Sequence, residues 1–276
     1  MPVWQQLYDE LKDYGFMVFA VAMDSRGNEA AKPWIDAAKS TYVSVIDAEH
    51  RLADLYNMVN VPEAVWIDEA GKIVRPTEVA GSGDYFRKMD RQTKQLPEEG
   101  KVMRETMRAH YLNALRDWVK NGMKSQYAFD SKAARAHVRP QSEDVALSHC
   151  WFRLGQHLHN TGKTDEAEAA LAEASRLHPD SWNIWRQMGD LKLKGQPNPD
   201  FWARVEAAVG DRVVVTLEVQ VGDDVVADFR PDLCRARLRG LVHVGHCGQR
   251  VVIRSEEHTS ELQSHHDLVC RLLLEK

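Results

Sequence analysis

Residues 59–73, Val-Asn-Val-Pro-Glu-Ala-Val-Trp-Ile-Asp-Glu-Ala-Gly-Lys-Ile, constrain the fold more than any other stretch. Ala64–Asp68 reads as a strand, Glu69-Ala70-Gly71 as a tight turn and Lys72–Arg75 as the antiparallel return. A proline at the head of such a strand is tolerated because it gives up no interior ladder bond. The hairpin needs a sheet to join, and the preceding residues supply one. Phe16–Ala22 is a continuous apolar run rich in β-formers, which predicts a strand buried on both faces. Tyr42–Ile46 predicts a short second strand. Between them lie helical patterns. Trp4, Leu7, Tyr8 and Leu11 recur at helical spacing over 2–14, ending near Gly15. Residues 29–39 read as a helix with Trp34 and Ile35 on its apolar side. Asp47 caps a helix running through Tyr56, with Leu52 and Leu55 facing inward. Residues 84–94 read as one more helix. The order helix–strand–helix–strand–helix–strand–strand–helix predicts an α/β unit.

The pattern Val-Pro-x-x-x-x-Ile-Asp-x-x-Gly, following Asp-Ala-Glu-His-Arg-Leu-Ala-Asp-Leu-Tyr at 47–56, resembles the second half of a thioredoxin-like domain. The resemblance is to the TlpA/ResA or peroxiredoxin-like (AhpC/TSA-like) version and covers roughly the first third of the chain. It implies that Pro62 is cis and that Val61 and Pro62 form a substrate-facing edge, where the Val61 backbone pairs with an extended substrate. It also implies a Trp-Cys-x-x-Cys at the start of the first helix. The chain opens at Met1-Pro2-Val3-Trp4, which looks like the middle of that helix, and residues 1–149 contain no cysteine. Thiol–disulfide exchange needs a low-pKa thiolate at a helix N-terminus and a resolving thiol. No catalytic residue is therefore assigned within this chain.

The family's central strand, the one leading into the cysteines, is also not found at the front. Its absence would leave the edges of the strands at 16–22 and 64–68 unpaired. The expectation is an N-terminally truncated thioredoxin-like fold. A gene cut short, a start codon placed too late, or an upstream UGA encoding selenocysteine would each account for it. The function expected is that of a fragment of a thiol–disulfide oxidoreductase with a protein-interaction region. The alternative is a redox-inactive interaction module.

Met103, Met107, Tyr111, Leu115 and Trp118 predict a long amphipathic helix over 101–121, taken as a connector docked on the following domain. Residues 151–179 then resemble a tetratricopeptide repeat. Trp151, Leu154, Gly155 and Leu158 lie on its first helix, and Ala167, Leu171, Ala174 and Pro179 on and after its second. Advancing by the ~34-residue period reaches Trp185, Met188 and Gly189. Gly155, Ala167 and Ala174 let the paired helices approach closely. The resemblance implies a concave face that binds peptides or proteins, with Arg153, His157 and Asn160 as candidate groove residues. His149, His157 and His159 lack acidic or thiol partners in a ligand pattern, so no metal is expected. Cys150 reads as a buried helix residue.

Residues 254–264 and 268–276 back-translate in one frame to a common short-read sequencing adapter and its continuation, with His265-His266-Asp267 at the index position. Residues 254–276 are therefore expected to be adapter-derived. Residues 209–253 carry no lysine and are dense in valine. They read as a small β-hairpin over 213–229 or as a chimaeric segment, with no function assigned. The expected division is a thioredoxin-like domain at 1–95, a connector at 96–140, a tetratricopeptide region at 141–208, an uncertain segment at 209–253 and the tail.

A formal net charge of −5 over 276 residues gives no reason to expect nucleic acid or an anionic membrane as partner. No apolar run is long enough for a membrane span, and no signal-peptide pattern opens the chain. As it stands the chain would be cytoplasmic; an upstream extension leaves an extracytoplasmic location open. The four cysteines (Cys150, Cys234, Cys247, Cys270) are far apart and suggest neither a zinc site nor a disulfide framework. No cofactor is implied. The partners expected are protein thiols or disulfides, or a peptide held by the repeat.

Overall fold

The computed structural model describes residues 2–90, 92–93, 95–138, 141–193, 199–207 and 250–256. The chain opens with helix α1 (Pro2–Leu11), tightened into a 3-10 turn at Lys12–Tyr14. Gly15 closes that turn in the left-handed region, at φ 75°, a conformation that glycine adopts without penalty. Strand β1 (Phe16–Ala22), helix α2 (Asn28–Ala38), strand β2 (Val43–Ile46) and helix α3 (Arg51–Tyr56) follow. Both Asp47 carboxylate oxygens accept from the start of α3, from the amides of Arg51 (2.9 Å) and Leu52 (2.8 Å). Strands β3 (Glu63–Ile67) and β4 (Ile73–Val79) form the expected hairpin. The Asp68 side chain accepts from the amides of Ala70 and Lys72 to close its turn.

One more strand, β5 (Arg250–Glu256), completes a sheet of order β2-β1-β5-β3-β4. It runs parallel to β1, with Phe16 opposite Arg250 and Ala22 opposite Glu256, and antiparallel to β3, with Ala64 opposite Arg254. This is the place that the resemblance assigns to the strand leading into the cysteines. The expectation that β1 and β3 face each other with unpaired edges is therefore corrected. Val-Val-Ile at 251–253 is β-branched and apolar, and backbone pairing on both sides satisfies its amides and carbonyls. Three residues of β5, 254–256, fall inside the segment read as adapter-derived. The hairpin expected over 213–229 and the tail beyond Glu256 lie outside the described residues.

Period-2 alternation sorts the sheet into two apolar faces. Phe16, Val18, Ala64, Trp66 and Val252 point to one side, where they pack on Trp4, Leu7 and Leu11 of α1. Val21, Val65, Val251 and Ile253 point to the other, onto Leu52 and Ala53 of α3. The first face is also covered by helix α4 (Glu98–Asn121), through Tyr111, Leu112, Leu115 and Trp118. Trp118 stacks on Trp66 with ring centroids 5.1 Å apart, and Trp66 Nε1 donates to the Tyr111 hydroxyl at 2.8 Å. The helix expected to be a connector is thus built into the sheet's own core. Among the described residues of 84–94 there is no α-helix. A 3-10 turn spans Asp84–Lys88, after which the Asp90 carboxylate accepts from the amides of Gln92 and Thr93. That local turn competes with helix, and Pro97 then sets the start of α4.

After α5 (Ser131–Ala136) come α6 (Glu143–Asn160), α7 (Thr164–Leu177), α8 (Trp182–Leu193) and α9 (Phe201–Ala207). Helices α6 and α7 pair closely at Gly155, where an added Cβ would lie 2.5 Å from Leu171 Cγ. Phe152, Leu171, Ala174, Ile184 and Leu191 form the core of this unit. Cys150, expected to be buried, is exposed.

Candidate functional site

The loop Asn57–Pro62 leaves α3 and enters β3 across one end of the sheet. The Val61–Pro62 peptide bond is cis. The Pro62 carbonyl accepts from the Ala80 amide at 3.1 Å, which brings the loop after β4 alongside. Beneath them the Glu63 carboxylate, 1% exposed, accepts from the amides of Val59 (2.9 Å) and Asn60 (3.3 Å). A buried carboxylate that takes two backbone amides fixes the loop from below. A small cavity opens beside Ala80 and Gly81, walled by Val3 and Trp4 of α1 and by Arg108 and Tyr111 of α4. Arg108 is the cation at its rim. Burial pulls its pKa below the usual arginine range, and the Glu105 carboxylate opposes that pull. The N-terminal end of α1, the cis-proline loop and the loop after β4 therefore meet at one end of the sheet. Strand β5 also runs toward this end.

The helical unit docks on that same end. From α6, Gln156 Nε2 donates to Ser25 Oγ (2.7 Å) and to the Ala48 carbonyl (3.0 Å). From α8, Gln187 Oε1 accepts from the Ser25 amide at 2.7 Å. Asn183 donates twice to the cis-proline loop, from its side chain to the Met58 carbonyl (3.0 Å) and from its amide to the Val59 carbonyl (3.1 Å). On the flank, Asp54 of α3 pairs with Arg153 and, at 2.5 Å, with His149 Nδ1. Farther round, Phe86 packs against the Trp185–Phe201–Val205 cluster and Arg87 Nη1 donates to the Val205 carbonyl.

Within this junction His50 is 3% exposed, lies edge-on to Phe152 at 5.1 Å and sits 3.4 Å from Ser25 Oγ. Burial lowers its pKa, while the carboxylates of Asp47, Asp54 and Asp24 and a hydrogen bond it donates to Gln187 pull the other way. A histidine buried neutral contributes no penalty above its unfolded value of about 6.5. Below that the unfolded chain binds a proton that the folded chain does not, so stability falls as pH drops toward the lowered folded value. Melting profiles should therefore show wild type losing stability below about pH 6.5. His50→Gln should flatten that slope, and an unchanged slope would remove His50 as its cause.

Of the residues singled out from sequence, Val61 and Pro62 sit at the junction just described. Arg153 is committed to Asp54 within the chain. His157 and Asn160 lie exposed farther along α6. His149 pairs with Asp54. Sequence reasoning does not single out Asn183, Gln187 and Gln156, because polar residues on an amphipathic helix read as a solvated face. The weak signal was their place on the two first helices of successive repeat registers.

The fold and this end of the sheet define a thioredoxin-like redoxin unit joined to a helical repeat. Residues 1–75 match the model of the AhpC/TSA family, and residues 148–191 match that of the tetratricopeptide repeat. The N-terminal unit is thus a thioredoxin-like redoxin domain of AhpC/TSA type, followed by a tetratricopeptide repeat. No curated protein and no solved structure matches the chain. Among the described residues, no helix is long and apolar enough to cross a membrane.

Proposed function

We propose that the chain carries the substrate-facing half of a thiol–disulfide redoxin site of the TlpA/ResA kind, with Val61–Pro62 as the edge that pairs with an extended polypeptide. The observation that carries this reading is the meeting of the cis-proline loop, the Ala80–Gly81 loop and the N-terminal end of α1 at one end of the sheet. The exchange step needs a thiolate at the start of that helix and a second thiol to resolve it. Residues 1–149 carry neither. The chain alone is therefore expected to reduce insulin no faster than the dithiothreitol blank. A chain extended at α1 by one turn bearing Cys-x-x-Cys is expected to exceed it.

The second reading is a redox-inactive interaction module in which the repeat contacts a protein partner, with His157 and Asn160 on its exposed surface. It is favoured by the absence of cysteine from residues 1–149 and by β5 filling the central strand position. An extended chain that stays at the blank rate would support it.

A further inference from the structure

The repeat reaches the redoxin domain mainly through side-chain amides aimed at loop backbone or at a loop hydroxyl. Gln156 takes the Ala48 carbonyl and Ser25 Oγ, Gln187 the Ser25 amide, and Asn183 the Met58 carbonyl. All three are buried: Gln156 is 8%, Gln187 0% and Asn183 4% exposed. Asn183 lies in the first turn of α8, where backbone amides have no partner inside the helix. Its own amide takes the Val59 carbonyl, while Ser181 Oγ caps the amide of Ile184 at 3.2 Å. The strand of loop Met58–Asn60 is thus gripped from both sides. Asn183 holds its carbonyls from above, and Glu63 holds its amides from below.

This is how a groove holds an extended peptide: through main-chain groups, with little regard to side chains. We propose that the first turn of α8 is a backbone clamp whose occupant is this chain's own loop Met58–Asn60, with Asn183 the positioning residue for the Val61–Pro62 edge. Gln156, Gln187 and Asn183 are then already taken by this chain's own loops, and Arg153 belongs to the seal around them. A partner of the repeat binds elsewhere or displaces the loop. The consequence for substrate pairing rests on the proposed role of Val61–Pro62, whereas the clamp itself does not.

Amide hydrogen exchange on the full chain tests the clamp without any substrate, so its failure is separable from failure of the redox reading. Asn183→Ala removes the side-chain donor. The near-isosteric, uncharged Asn183→Leu removes it while keeping the packing, which covers the case where the alanine variant folds poorly. Losing one buried hydrogen bond is worth about a tenfold change in local opening. Exchange of peptides covering 58–63 should rise about tenfold in both variants, with β1 and β3 unchanged. Arg153→Ala, which cuts the flanking ion pair only, should leave 58–63 as in wild type. Unchanged exchange at 58–63 in Asn183→Leu would overturn the proposal. So would a rise spread evenly over β1 and β3, which would mark Asn183 as a general stability residue.

Discussion

Val252→Asp should cost the N-terminal unit at least about 4 kcal/mol and strip the sheet of its central strand. Val252 is 0% exposed, pairs with Val18 on one side and Trp66 on the other, and sits in the core shared with α1 and α4. A carboxylate there enters an apolar layer of Val18, Trp66 and Trp118, so it either ionises at great cost or expels the strand. Expulsion reopens the edges of β1 and β3, which exposes unpaired backbone. Natural marginal stability is about 5–15 kcal/mol, so a loss of this size takes away a large fraction of it. Urea unfolding followed by tryptophan fluorescence would measure it. A loss below about 1 kcal/mol would mean that β5 does not hold the central position.

Trp118→Ala should cost about 3–5 kcal/mol, the range for truncating a fully buried large aromatic. Trp118 is 0% exposed and stacks on Trp66, which is itself in the middle of β3. The substitution removes that stack and leaves a cavity between α4 and the sheet. The expected loss appears in the unfolding of the redoxin domain, with the tetratricopeptide helices little affected. A helix serving only to connect two units would show less than about 1 kcal/mol for the same change. Calorimetry that resolves the two units distinguishes these outcomes.

Most of the redoxin half was readable because its elements are local and strongly patterned. The apolar run Phe16–Ala22 and the Glu69–Gly71 turn declare themselves within a few residues and form as expected, and Asp47 holds the first amides of α3 from three residues ahead of its N-cap His50. The repeat was readable from Trp151, Gly155, Ala167 and Ala174 because close helix pairing demands small residues at fixed spacing. What escaped is what depends on distant partners. Strand β5 is separated from β1 by most of the chain, and Val-Val-Ile by itself says nothing of which sheet it enters. Helix α4 shows an apolar stripe whose partner could be either unit, and only Trp66 beneath it decides. The 84–94 stretch read as helix because its pattern fits one, but Asp90 accepting from Gln92 and Thr93 wins locally. The clamp was hidden most completely, since Asn183 and Gln187 look like ordinary polar helix positions until the loop carbonyls arrive.

Val61–Pro62 is proposed as the substrate edge of a redoxin site. It is tested most directly by insulin reduction with a chain carrying Cys-x-x-Cys one turn ahead of Pro2, beside the same chain bearing Val61→Pro. The proline removes the Val61 amide that would pair with an extended substrate. The account predicts turnover above the dithiothreitol blank for the first and a return to the blank for the second, with both chains equally folded by circular dichroism. Turnover that survives Val61→Pro, or none in either chain, would contradict it.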